Sequence, residues 1–516
     1  MVRLCMNFGA AALLALLAAS ICGAQQPPGG GASGSSRAIQ LPGATGQPGS
    51  VSTQQSPTAG TGPATINSSI TIDGSLAGSV PAASTPAGPI NLTLAGAVKR
   101  GLAANLGPIA ATNAARAARA ERIESLSALL PNIAANASDT VTQVNLAAYG
   151  FQFKVPANLN FSIPSVVGPY NYSSLEATLS QSIYDPVARR NWQAQEESEH
   201  ASLLDAKDAR ELVVLAVGGS YLQTVATSAR VASQRAQVEN AQAIYRQAQV
   251  RKAAGTNARI DVTRSEVELQ TEQQRLSSLE ADLRKQTIGL ARLIGLPLDR
   301  QLVLVEPLTF NAAAIPQASA SIQQAFEHRA DLQAYEARVK AAERALSAAR
   351  AERLPSATIN GDYGVIGPNP ASTHGVFAVT GSLNVPIWQG GRTKGDIAQA
   401  EATLDQRRAE LADQRGRIEQ QVRVALIELE TAGGQVRLAQ NNRALAAETL
   451  TESRDRFNAG VSTTVEVVQA QQQVASAESD YISSLFSFNL AKLSLARATG
   501  DAESELADLQ SGASHP

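Results

Sequence analysis

Apolar residues recur every seven positions along two stretches of the chain: Val262, Leu269, Leu276, Leu283 and Leu290, then Val467, Val474, Tyr481, Phe488 and Leu495. A helix of ~3.6 residues per turn keeps such a stripe on a partner only by supercoiling, so the pattern predicts coiled-coil helices. One offset of 205 residues superposes the two series, and with them Gly255 on Gly460, Ile260-Asp261-Val262 on Val465-Glu466-Val467 and Gly295 on Gly500. In the second copy the residues three further on, Ala470, Ala477, Ser484, Ala491 and Ala498, are all small, which allows close backbone approach. A simple helical hairpin accounts for either copy alone. The duplication in register points instead to a repeated building block.

Upstream of each series the period changes from helical to alternating. One helix ends at Leu129-Leu130-Pro131 and another, from about Ile322, at Arg353-Leu354-Pro355, since proline cannot continue a helix. After Pro355, Ala357, Ile359, Gly361, Tyr363 and Val365 alternate with Thr358, Asn360, Asp362 and Gly364. Past a turn at Gly367-Pro368-Asn369-Pro370, Phe377, Val379, Leu383 and Val385 alternate with Thr380, Ser382 and Asn384. These are two strands of about ten residues, the length of a tilted membrane-spanning β-strand. The first half carries a fainter version, from about Thr140 to Ala148 and from Leu175 to Ile183, with surplus sequence around Phe151 to Tyr170 expected in a longer loop. Alternation alone leaves open a soluble hairpin half-buried on helices.

After each hairpin comes a breaker-poor helical stretch, Pro186 to Ala253 and Gly391 to Asn458. Each is long enough for ~100 Å of helix, more than one globular core accommodates. Inside the first, Gly218-Gly219 predicts close packing or a bend. A tip turn follows each, at Ala253-Ala254-Gly255 and Asn458-Ala459-Gly460, and then a return helix. The first return helix and the helix from Ile322 together match one long helix in length, so the connector between them, 297–321, is expected beside the middle of the long helix.

The chain opens with Met1-Val2-Arg3 and an Ala/Leu run from Ala10 to Ala19, the form of a signal peptide over 1–24. Ile21 before Cys22 disfavours a lipoprotein. Both cysteines, Cys5 and Cys22, lie in that leader, which excludes disulfide, thiolate-zinc and cysteine chemistry in the mature chain. Residues 25–90 are dominated by Gly, Ser, Pro, Thr and Ala and read as a disordered arm; 501–516 read as a polar tail. The net charge of −2, with both signs interspersed, argues against a nucleic-acid partner. His200, His328, His374 and His515 are far apart and no phosphate-binding Gly-Lys loop occurs, so neither an enzyme nor a cofactor is expected.

Helix, β-hairpin, the step Pro386-Ile387-Trp388-Gln389-Gly390-Gly391-Arg392, long helix, glycine tip and return helix, all twice, resemble the TolC-like outer membrane efflux proteins. The segments Phe326-Glu327-His328-Arg329-Ala330-Asp331-Leu332 and Arg456-Phe457-Asn458-Ala459-Gly460 look like the family's start-of-repeat and tip motifs. The resemblance covers about 91–500, with repeats over 91–296 and 322–500. It implies a mainly α fold, a long coiled-coil helical barrel, with four strands per chain that a homotrimer closes into a 12-stranded transmembrane β-barrel in outer-membrane lipid. The helices would cross the periplasm. The partners implied are a periplasmic adaptor and an inner-membrane transporter, and the function is a passive exit duct for efflux or type I secretion.

The resemblance also implies where function sits. Gly255, Thr256, Arg456, Phe457, Gly460 and Val461 would form the tips and dock the adaptor. Asp261 and Glu466 stand where the family places acidic constriction residues, and a threefold ring of carboxylates would attract cations. Gln469 departs from a second acidic position one turn on, which weakens that ring. First-turn acids also suit the helix dipole, so a structural role is the alternative for both, and the two readings can hold together. The competing class is a periplasmic coiled-coil scaffold or adaptor without a pore.

Overall fold

A computed structural model of the protein describes residues 49–57, 66–81, 88–150, 164–255, 258–311, 315–459 and 461–503. The signal-peptide reading and most of the tail reading fall outside these residues. Two compact units separate, one built from Leu129–Val187 with Glu352–Trp388 and the other from the remaining described residues.

The first unit is a single sheet of β4 (Asn132–Asn145), β5 (Val166–Tyr184), β7 (Ser356–Gly367) and β8 (His374–Asn384). The order is β4-β5-β7-β8, antiparallel throughout. Register aligns Ile133 with Leu179, Leu175 with Val365, Tyr363 with Phe377 and Gly361 with Val379. One face is therefore apolar, and it is open: Ile133, Tyr363, Phe377 and Val379 are 76%, 70%, 77% and 67% exposed. The other face is polar and internally bonded, Ser138 to Ser174 at 2.9 Å and Ser180 to Asn360 at 2.8 Å. Just past β8, Ile387 and Trp388 are 93% and 87% exposed.

The second hairpin follows the alternation closely; the first corrects it. β4 begins at Asn132, directly after Pro131, rather than near Thr140, and β5 takes in Val166–Tyr170, part of the stretch expected in the loop. Ala134, Ala135 and Ala137 give little contrast between faces, so pairing with β5 rather than local hydropathy fixes this strand. Residues 151–163 of the expected loop lie outside the described residues.

The second unit is helical. Its order is β1 (Val51–Pro57), β2 (Ile66–Ile72), a 3-10 turn (Gly74–Ala77), β3 (Ile90–Leu92), α1 (Leu94–Ala104) and α2 (Leu106–Ser127), then α3 (Pro186–Ala253) and α4 (Arg259–Leu293). β6 (Leu302–Leu304), α5 (Ala318–His328), α6 (Ala330–Ala351), α7 (Arg392–Asn458) and α8 (Thr464–Thr499) complete it. The core gathers Val213, Val214, Val217 and Tyr221 of α3 with Leu290 and Ile294, and Phe486 and Leu490 of α8. α3 contains a window apolar enough to cross a membrane, but 72% of that window is buried inside this chain, which marks a core helix. Tyr221 donates to Leu92 O at 3.1 Å, and burial pushes its phenol up to about 12. The connector strand β6 pairs in parallel with β3, and Leu302, Leu304 and Leu308 pack on this core around the middle of α3.

Close packing accounts for Gly218-Gly219. A Cβ on Gly218 would stand 2.6 Å from Leu493 Cδ2, and one on Gly219 would meet Ile70 Cδ1. Ile70 belongs to the stretch read as a disordered arm, and that reading does not hold for 49–57 and 66–81. β1 and β2 form an antiparallel hairpin whose Val51, Ile70 and Ile72 pack on the helical core, with Ser68 Oγ donating to Ser487 Oγ at 2.9 Å. Leu76 is buried, and the buried Asn105 amide donates to Leu76 O at 2.7 Å while its oxygen caps Gly107 N at 2.8 Å. A few apolar residues with a prepared notch achieve what average composition disfavours.

The small-residue row of the second copy is buried throughout, at Ala470, Ala477, Ser484, Ala491 and Ala498. The heptad positions are less even. Val467, Phe488, Leu495 and Leu290 are buried, whereas Val262, Leu269, Leu276 and Leu283 are half-buried.

The single helix expected from Ile322 to Leu354 is broken at Arg329, whose backbone is extended. Arg329 is 3% exposed and forks onto Asp331, with Nη2 to Oδ2 at 2.6 Å and Nε to Oδ1 at 3.0 Å. Its Nη1 reaches Gln421 Oε1 at 2.6 Å, and Gln414 donates to Asp331 Oδ2 at 2.7 Å. Nearby Arg497 pairs with Asp208, Arg338 with Asp205, and Glu211 accepts from Ala502 N at 3.0 Å. α3, α6, α7 and α8 thus share one polar seam.

Burial alone would raise Asp331, but the hydrogen bonds and charge of Arg329 hold it below its ordinary 3.8. A depressed carboxyl contributes stability above its unfolded pKa and loses it as pH falls through the folded value. Asp205, Asp208 and Glu211 go the other way, raised by burial against the pull of Arg338 or Arg497. Their contribution is present at low pH and lost as pH rises through their folded values. From this seam, thermal unfolding followed by circular dichroism is expected to show stability sustained or rising from pH 7 to about 4.5, then falling below about 3.8. Asp331→Asn should make that acid limb shallower; an unchanged limb would count against the Arg329 assignment.

Candidate functional site

The two tips lie at the ends of α3 and α7. Gly255, at φ +75°, turns the chain out of α3 in the left-handed region open to glycine. Thr256 and Gly460 lie outside the described residues. α7 closes with Ala459 N bonded to Asp455 O at 2.9 Å, and Val461 N returns to Arg456 O at 3.0 Å. Val461, Val465 and Ile260 are exposed apolar side chains at these tips.

The structure joins the two tips through residues of different repeats. The Arg251 guanidinium, on α3, lies 4.3 Å from the ring centroid of Phe457, on α7, in cation–π geometry. Further back, Gln472 donates to Glu268 Oε1 at 3.4 Å, linking the return helices α8 and α4. Phe457 is half-buried in this arrangement.

Asp261 and Glu466 each occupy the first turn of a return helix, where a carboxylate opposes the positive end of the dipole. Their settings differ. Glu466 Oε1 faces Arg456 Nη1 at 3.5 Å, and its Oε2 accepts from Ser462 Oγ at 2.6 Å. Both oxygens are thus engaged by the chain's own side chains. Asp261 N bonds Ala258 O at 3.2 Å, and Arg264 stands one turn further along α4. Gln469 is exposed. Arg456, Phe457 and Glu466 were singled out from sequence; their partners Arg251 and Ser462 were not. The repeat offset carried a signal for Arg251, which it places on Arg456. Among the described residues, no group of three or more His, Cys, Asp and Glu side chains could hold a metal ion.

With the duplicated helices, the open-faced sheet and the paired tips established, comparison with known proteins decides the family. The chain matches the description "outer membrane efflux protein" over residues 105–296 and 321–501. It belongs to that family. As an outer membrane efflux protein it is located in the outer membrane. It is 25% identical over 213 residues to the pyoverdine export outer membrane protein OpmQ of Pseudomonas putida, covering 40% of this chain and 44% of that one. It is 23% identical over 310 residues to nodulation protein T of Rhizobium leguminosarum bv. trifolii, covering 59% and 66%. The chain thus spans less than two thirds of the length of these curated relatives. In fold it is similar to the CmeC outer membrane channel of Campylobacter jejuni, with a TM-score of 0.68 at 18% identity, covering 79% of this chain and 86% of that one.

Proposed function

We propose that this outer membrane efflux protein is the exit duct of a tripartite efflux or type I secretion system. Three copies form a passive channel across periplasm and outer membrane, while an inner-membrane transporter supplies the energy. The observation that carries this reading is the sheet: four antiparallel strands with an exposed apolar face and a polar, hydrogen-bonded face, β4 and β8 each pairing on one side only among the described residues. Hydrocarbon offers no partner for a bare strand edge, so a sheet with a lipid-facing surface must close on itself. Four strands are too few to enclose a pore, and threefold symmetry supplies twelve.

In this reading Gly255, Thr256, Arg456, Phe457, Gly460 and Val461 form the surface that meets the periplasmic adaptor, and Asp261, Glu466 and Gln469 line the constriction. The exposed Val461, Val465 and Ile260 suit an apolar partner surface. Purified protein incorporated into planar bilayers is expected to give discrete single-channel currents, and chemical cross-linking in detergent a trimer. A protein that washes off membranes, or trimers that pass no current, would establish a scaffold instead.

A further inference from the structure

We propose that the constriction of this duct prefers anions, and that Arg456 sets the preference by neutralising Glu466. The inference rests on the duct reading above and concerns which solutes that duct passes. Three observations carry it. The Glu466 carboxylate, the acidic group nearest the second tip turn on its return helix, is held on one oxygen by Arg456 at 3.5 Å and on the other by Ser462 at 2.6 Å. The position one turn on is the uncharged, exposed Gln469 in the second copy and the exposed cation Arg264 in the first. Over the equivalent windows 249–264 and 454–469 the chain carries six basic side chains against three acidic ones, although the whole protein is slightly acidic at −2.

The excess lies at the first tip, where Arg251, Lys252, Arg259 and Arg264 face one acid, Asp261; at the second, Arg454 and Arg456 are balanced by Asp455 and Glu466. Threefold assembly multiplies that excess at the narrowest place, where low-dielectric walls focus the field. The Arg456–Glu466 pair is exposed and adds little to stability, so its consequence is electrostatic. Arg251, the repeat equivalent of Arg456, lies over Phe457 and keeps a second cation at the joined tips. Asp261 is the remaining acid of the constriction, and Arg264 on the same helix offsets it. The favoured solutes are small anions, carboxylates among them, over cations of similar size.

Reversal potentials of the full-length protein in planar bilayers under a KCl gradient test this, with chloride and potassium as probes. The expected wild-type permeability ratio, chloride over potassium, exceeds one. Arg456→Gln exposes the Glu466 charge and is expected to lower the ratio about fivefold; Glu466→Gln should raise it. The double variant should return close to the wild-type value, a reversal that a merely structural role would not produce. Both side chains are solvent-accessible, so the variants keep the fold, which thermal unfolding checks. A wild-type ratio below one, or an Arg456→Gln channel indistinguishable from wild type, overturns the anion preference while leaving the duct intact. Absence of any current overturns the duct reading and this one with it.

Discussion

Arg329→Met is expected to destabilise the helical unit by about 3–5 kcal/mol, the cost of taking the hydrogen-bonded counter-charge from a largely desolvated carboxylate, with only the more distant charge of Arg497 left to offset it. Arg329 is almost wholly buried, bonds both oxygens of Asp331 and reaches Gln421 on α7. The effect therefore includes three helices. Asp331 retains Gln414 and the backbone N of Leu332, but neither carries a positive charge. The double variant Arg329→Met, Asp331→Leu should recover most of the loss, because apolar groups of similar size replace a buried pair at little net cost. Thermal unfolding in detergent measures both. A single variant as stable as wild type would show that the break between α5 and α6 does not depend on this pair.

The second large effect is expected in the sheet. Val379→Arg should cost about 2–4 kcal/mol of membrane stability and sharply reduce the protein recovered in outer-membrane fractions, since in the proposed duct it puts a charge on the side of the strand that would face lipid. Its neighbour Thr380→Arg should insert normally. Val379 lies opposite Gly361 on the apolar face, and Thr380 opposite Asn360 on the polar one. Two adjacent positions thus receive the same substitution with opposite outcomes, because side chains alternate across the sheet. Equal yields from the two would mean that the apolar face does not meet lipid.

Both substitutions mark where sequence and structure divide the information. The β7–β8 hairpin was legible because its alternation is strong, with Tyr363, Phe377, Val379 and Leu383 on one side and threonine, asparagine and serine on the other. The β4 strand was misplaced because its alanines label neither face. At the tips, Glu466, Phe457 and Arg456 stood out through the repeat, while Ser462 carried no signal, since a serine after a turn is ordinary in any protein.

The sequence by itself determined the periodic content: two long helices of nearly equal length, their return helices, the tip turns, and a sheet with one apolar face. Those follow from residue spacing, which one chain displays without a partner. Only the tertiary structure decided the contacts between distant segments. It docked Ile70 against Gly219, broke a helix at Arg329 to bury an ion pair, paired β5 with β7 and brought Arg456 onto Glu466. Such choices depend on which surfaces meet after the chain folds back. Hydropathy along the chain records how apolar each position is, not which distant residue it will touch.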